Sequence, residues 1–315
     1  MHELNIGLWL PTRASMSSIA VHSPGMWLEQ LEREFVERLS ARPGVLIVPQ
    51  LDFRVAHIRN GRVLAGDFDF ATLDAYFWFG ELDRSYGSFH LEVLEAIGQR
   101  CPVLNTAESV RTTLDKYRTQ MVLERHGVPV PDFMLISRDN VEAVRDLVDA
   151  RPHIIKPRLG SFGVGITRVA NHDQLVDIVD YSEHPSHFVE AFIESTPDRF
   201  IGVNVVGDQV VAAYGKEVAK FRGWKVMDRH RRGGGMFSRQ PTPEQRRIAI
   251  AAARATGLDF AGVDIIESKA GESFVVDVNP FPGFYPGIHE GVDLVRHLVD
   301  ALLAKLPRVD LATSS

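Results

Sequence analysis

Apolar residues along this chain switch repeatedly between strand-like runs and helical spacing. Residues 4–10 read as a strand, and a polar stretch rich in Ser and Thr follows through Pro24. Trp27, Leu28, Leu31, Phe35, Val36 and Leu39 then recur at three- and four-residue spacing, which predicts a helix. Val45–Val48, Ala75–Trp78 and Val103–Leu104 read as strands that alternate with helical stretches such as 91–98. That alternation predicts a parallel sheet with helices on its faces. Further on, a helix is expected over 116–126, followed by the turn Gly127-Val128-Pro129-Val130-Pro131 and a strand ending in Ile155-Lys156-Pro157. Strands at 203–206, 210–213, 262–266 and 273–278 accompany a helix at Pro243–Thr256. In a terminal helix, Val292, Val295, Leu298, Val299 and Leu302 share one face. The expected organisation is an α/β domain over 1–105, a second part over 106–188, a third over 189–306, and a short frayed tail at 307–315.

Composition narrows the classes. The 315 residues fit two or three modest domains around a shared cleft, with 45% hydrophobic and 24% charged residues supporting a core that needs no staples. A net charge of -6 gives no overall positive field for nucleic acid or anionic lipid. The single Cys101 forms no internal disulfide, which suits a reducing cytoplasm, and its setting between Arg100 and Pro102 makes it a poor catalytic thiol. No signal peptide or membrane span is expected from the N-terminal stretch. No nucleic-acid or membrane partner is therefore expected, and homo-oligomerisation is left open.

Candidate chemistry begins at Lys156-Pro157-Arg158-Leu159-Gly160-Ser161-Phe162-Gly163-Val164-Gly165, where a lysine ends a strand and a loop with three glycines follows. Glycines let backbone amides approach a polyphosphate, and the lysine supplies a point charge. A glycine-rich hairpin with a snorkelling lysine is the plain alternative. Gly165 is followed by Ile166, so this is not a P-loop, and 166–169 continues as a strand rather than the helix a dinucleotide fingerprint needs.

Asp277 and Asn279 stand two apart on a predicted strand and share a face; Asp264 on the preceding strand reaches that face if the two strands pair. Two carboxylates and an amide oxygen make a hard, oxygen-only set suited to Mg²⁺. A turn cap and a satisfied strand-end acid are the alternatives. The segment from Val189 to Glu194 reads, on its own residues, as a core strand, though the backbone of such a strand also suits the edge of an adenine. Arg222, Lys225, Arg229, Arg231, Arg232 and Gly233-Gly234-Gly235 concentrate positive charge and hinges in a loop over 221–238. No serine–histidine–acid arrangement or zinc motif stands out, since His57, His90 and His126 occur in unrelated contexts.

In chain order, these pieces resemble the ATP-grasp superfamily, particularly its glutamate-ligase branch (RimK-like, related to glutathione synthetase). The carrying residues are Asn105-Thr106, Asp115-Lys116, the turn at 127–131, Lys156 with its glycine loop, Glu190-Ala191-Phe192-Ile193, Arg232-Gly233-Gly234, Gly262-Val263-Asp264, and Asp277-Val278-Asn279-Pro280 with Pro282-Gly283. The resemblance implies an α/β N-terminal domain followed by an α+β ATP-grasp fold whose two subdomains clamp ATP. It implies that Lys116 and Lys156 bind phosphates with the Ser161 and Gly163 loop. Glu190 and the backbones of Ala191 and Ile193 would hold adenine, and Asp198 the ribose. Asp264, Asp277 and Asn279 would carry two Mg²⁺ ions, with Mn²⁺ an alternative. Arg232, with Lys156, would serve catalysis by steadying the transferred phosphoryl group. Three departures stand out: Asp277 where relatives more often carry glutamate, Gly202 where they show an arginine, and the chain's own sequence between Lys216 and Arg232.

The activity so implied is an ATP-dependent carboxylate–amine ligase working through an acyl phosphate on an amino acid or small peptide. Specificity is expected in the 12–23 and 221–238 loops, and closure of the latter would exclude water. Removal of Lys156 or Asp277 is expected to cost activity far more than folding stability. The rival readings are an ATP-binding regulatory protein of the same fold that has lost turnover, and an RNA- or partner-binding module that uses the basic loop.

Overall fold

A computed structural model of the chain describes residues 3–11, 25–80, 82–160, 163–216, 236–283 and 291–306. The chain divides into two units, Met1–Arg111 with Gly257–Phe260 and Pro280–Ser315, and Thr112–Thr256 with Ala261–Asn279.

The first unit contains the parallel sheet that the alternation predicted. Its order is Val45–Val48, Leu4–Trp9, Ala75–Trp78, Val103–Leu104, with every neighbouring pair parallel. Residues 6–9 of the one central strand and all of Ala75–Trp78 are buried on both faces, which is why these stretches read as apolar runs. Phe35 of the Gly25–Ser40 helix stacks on Phe77 at 4.4 Å between ring centroids. Phe53 meets Trp9 and Trp78 edge-on at 5.3 and 5.1 Å. A small antiparallel sheet, His57–Arg59, Arg62–Ala65 and Phe68–Asp69, was not anticipated. Its first hairpin turns on Asn60-Gly61, both at positive φ (51° and 76°), the two-residue turn whose twist matches paired strands.

Residues late in the sequence complete this unit. The Leu294–Ala304 helix is tied by Arg38–Asp293 (2.7 Å) and Arg42–Asp300 (3.3 Å) ion pairs. Buried Asn105 uses its whole side-chain amide: Nδ2 donates to the carbonyls of Phe260 (2.8 Å) and Pro280 (3.2 Å), and Oδ1 accepts from the amides of Asp259 and Phe260 (2.9 Å each). Cys101 is buried, and burial pushes its thiol up to about 12, which fits an inert packing role.

The second unit is built on two sheets. An antiparallel one runs Thr167–Val169, His153–Lys156, His187–Ala191, Phe133–Ile136. Ile136, Ile155, Val169 and Val189 on one of its faces pack with Val148 of the Arg145–Ala150 helix and Leu175 and Val179 of the His172–Tyr181 helix. Alternation puts Lys156 and Glu190 on the opposite face. The second sheet runs Met236–Ser238, Gln209–Lys216, Phe200–Val206, Phe260–Glu267, Ser273–Asn279. The expected 189–194 strand in fact spans His187–Ala191, so Phe192 and Ile193 lie just past its end. Among the described residues no helix is long and apolar enough to cross a membrane.

Candidate active site

The Lys116–Arg125 helix starts at an aspartate. Asp115 caps it by accepting from the amides of Tyr117 (3.1 Å) and Arg118 (3.4 Å). The same buried carboxylate is gripped by Arg158 from the glycine loop, Nη2 to Oδ2 at 2.5 Å and Nε to Oδ1 at 3.2 Å, while Arg158 offers its carbonyl to the Lys116 amide at 3.0 Å. Lys116 is thereby fixed as the first helical residue, and its Nζ lies 3.0 Å from both carboxylate oxygens of Asp277.

One turn along the same helix face, Gln120 donates to Glu190 Oε1 at 2.7 Å and to the Val275 carbonyl at 3.3 Å. Glu190 is fully buried, and its other oxygen is ion-paired with Lys156. The register explains this contact: Glu190 stands opposite Ile154, so Lys156 is its diagonal neighbour on the same sheet face. Lys156 Nζ also donates to the Val276 carbonyl at 3.2 Å. Lys116 and Lys156, 40 positions apart in sequence, therefore reach consecutive residues, 277 and 276, of one strand.

The strands carrying the acids do pair. Asp264 stands directly opposite Asp277, and Gly262 opposite Asn279, with a register shift immediately after Asp264. Burial raises the Asp264 carboxyl above the ordinary carboxylate range; Lys216 pulls it back down, Asp277 pushes it up and Lys116 lowers it. Two carboxylates and an amide make an oxygen-only, partly enclosed donor set of the kind Mg²⁺ takes, although in this structure each carboxylate is paired with a lysine that a metal would have to displace.

Three contributors were not picked out from the sequence. Gln120 follows Lys116 by one helical turn. Lys216, read only as a boundary, lies 3.7 Å from Asp264 and stands over the rings of Phe200 (4.3 Å) and Tyr214 (5.8 Å). Tyr214, opposite Gly202 on the adjacent strand, lies across it so closely that a Cβ at 202 would come within 2.3 Å of its ring. The period-two spacing of Tyr214 and Lys216 was the available signal.

Other expected residues are placed as follows. Gly163 and Gly165 adopt positive φ (68° and 77°), and a Cβ at Gly165 would meet Pro157 Cγ at 2.6 Å, so the loop needs glycine there. The Ala191 amide is committed to the Asp132 carbonyl at 2.8 Å and the Phe192 amide to Pro152 at 3.0 Å, while Ile193 is half-buried beyond the strand. Asp198 is exposed on the Pro197–Arg199 turn, and its hydrogen bond with the Thr196 side chain holds its carboxyl below the usual range. Ser161, Arg232 and the 217–235 part of the basic loop lie outside the described residues, as does the 12–23 loop.

Residues 113–302 match the RimK-like ATP-grasp domain family. A probable alpha-L-glutamate ligase of Legionella pneumophila is 31% identical over 216 residues, 68% of each chain. The chain belongs to the RimK-like ATP-grasp family. It is accordingly an ATP-grasp ligase of the C–N bond-forming class, and ATP-grasp ligases use ATP with Mg²⁺. Solved ATP-grasp structures share the fold along nearly the whole length. D-cycloserine synthetase DcsG has a TM-score of 0.65 at 17% identity, covering 96% of this chain and 100% of its own. The ligase PsnB, complexed with a minimal precursor, Mg and ADP, has a TM-score of 0.65 at 16% identity, covering 96% and 97%. The ATP-grasp fold expected from the sequence is thus the observed one.

Proposed function

We propose that this RimK-like enzyme joins a carboxylate to an amine through an acyl phosphate, releasing ADP and phosphate, with an amino acid or small peptide as substrate. The observation that carries the reading is the convergence of Lys116 and Lys156 on residues 276–277, beside the cross-strand pair Asp264 and Asp277.

In this reading Lys116 and the glycine loop, including Ser161 and Gly163, hold the triphosphate. Lys156 is ion-paired with Glu190 and donates one proton to the Val276 carbonyl, and its ammonium supplies further donors for a phosphate oxygen. Glu190 then acts mainly by fixing Lys156, while the backbone of 191–193 borders the adenine and Asp198 meets the ribose. Asp264, Asp277 and Asn279 hold two Mg²⁺ ions, which supply charge neutralisation at the phosphates.

A substrate carboxylate oxygen bonds to the γ-phosphorus as the bond to the β–γ bridging oxygen breaks, and ADP leaves. The amine nitrogen bonds to the acyl carbon, loses its proton, and phosphate departs. Arg232 steadies the oxyanion that develops, and the chain's contribution is positioning and charge rather than covalent chemistry. The central and C-terminal ATP-grasp subdomains are assigned to 106–188 and 189–306, and a cytoplasmic setting rests on the lone cysteine.

Glutamate is the first substrate to test, because the Legionella relative is a probable glutamate ligase. Gly202, packed against Tyr214 where the family resemblance implies an arginine, speaks against assuming it. Release of ADP is to be screened with amino acids and small carboxylates in acid–amine pairs. One pair is expected to stimulate release in the wild type and not in Asp277→Asn. Nucleotide binding without turnover on any pair would favour the regulatory reading; no nucleotide binding would refute the assignment.

A further inference from the structure

Each acid of the candidate metal site is already partnered by a lysine. Lys116 Nζ sits 3.0 Å from both oxygens of Asp277, and Lys216 Nζ sits 3.7 Å from Asp264 Oδ2. Both lysines are held in place by more than that attraction. Lys116 begins a helix whose cap, Asp115, is clamped by Arg158. Lys216 stands 4.3 Å over the ring of Phe200 and 5.8 Å from that of Tyr214, which lies across Gly202 where a side chain would collide with it. The acids face each other across paired strands, so the cations that approach them share one small region.

We propose that Lys116 and Lys216 are resting counter-ions of this site, so that a divalent metal enters only together with the nucleotide. A free metal ion must compete with two ammonium groups that are tethered and oriented, and their repulsion acts at short range in a partly desolvated place. A bound triphosphate offers both lysines a second anion. Once they turn towards it, the carboxylates are released to the metal, and the order of assembly becomes nucleotide with metal rather than metal first. Lys216 is thus a positioning residue for the metal, a role no sequence motif assigned to it. The inference rests on the metal assignment above and sharpens it.

The test measures Mn²⁺ binding by electron paramagnetic resonance on the full chain, with and without a non-hydrolysable ATP analogue. Wild type is expected to bind Mn²⁺ weakly alone and tightly with the analogue. Lys216→Met, which keeps the stem on Phe200, is expected to raise affinity for Mn²⁺ alone by about tenfold, a shift of about 1.4 kcal/mol. Lys116→Met should act in the same direction, and Lys216→Arg should behave as wild type. Far-UV circular dichroism checks that each variant is folded. If both methionine variants bind Mn²⁺ alone no better than wild type, while wild type binds it with the analogue, the counter-ion role is overturned and the metal site stands. If no protein binds Mn²⁺ even with the analogue, the metal assignment itself falls, and the inference with it.

Discussion

Replacing Lys156 with alanine separates the structure's account from the expectation that this change would spare stability. Lys156 is only 6% exposed and its partner Glu190 is fully buried, so the change strands a carboxylate where water does not reach. Gln120 alone would remain to satisfy it, through one oxygen. Breaking a buried ion pair from one side costs about 3–5 kcal/mol. At roughly 2–4 °C per kcal/mol for a domain of ~150–250 residues, the expected loss is about 6–20 °C in melting temperature. The double variant Lys156→Met, Glu190→Leu removes both charges and should recover most of that loss. Asp277→Asn provides the contrast: its carboxylate is 24% exposed and water reaches it, so a smaller loss of stability than for Lys156→Ala is expected, with activity abolished. Thermal melts followed by far-UV circular dichroism, with urea unfolding as a second measure, decide the matter. A Lys156→Ala protein that melts within about 2 °C of wild type would refute the buried-pair reasoning, as would a double variant no more stable than the single one.

Two further outcomes are expected. Gly202→Ala pushes a methyl into the ring of Tyr214 and should cost about 1–3 kcal/mol in wild type, but little when made in a Tyr214→Ala background; equal costs in the two backgrounds, measured by urea unfolding, would show that the ring is not what excludes a side chain there. His187 is buried with neither ring nitrogen hydrogen-bonded among the described residues, and burial, then His184 and Arg138, depresses its pKa from 6.5. A depressed histidine stabilises the fold above its unfolded value, and that contribution is lost as the pH falls below 6.5 through the folded value; His90 and His153 carry the same sign. Melting temperatures at about pH 7.5 and about pH 5.5 should fall less for His187→Leu than for wild type, and an unchanged pH dependence would contradict this.

Much was written locally. The helix at 25–40, the parallel strands and the Pro243–Thr256 helix follow from apolar spacing, because a side chain's face along an element is set by backbone period alone. The shared face of Asp277 and Asn279 was legible for the same reason. The small sheet at 57–69 was missed although Asn60-Gly61 marked its turn: its strands are too short for a period to show.

Partnership across sequence distance required the folded chain. The sequence determined which residues bear charge and which face of its own strand each one takes. It did not determine that Asp264 would face Asp277, that Lys156 would spend its charge on Glu190, or that Lys216 would join the acids, since each depends on the register between separate strands. Register is decided by packing of the whole sheet, in which one residue of slip sends every side chain to the other face. The RimK-like family was therefore readable from motifs in order, and the charge pairing around the candidate site only from the strands in place.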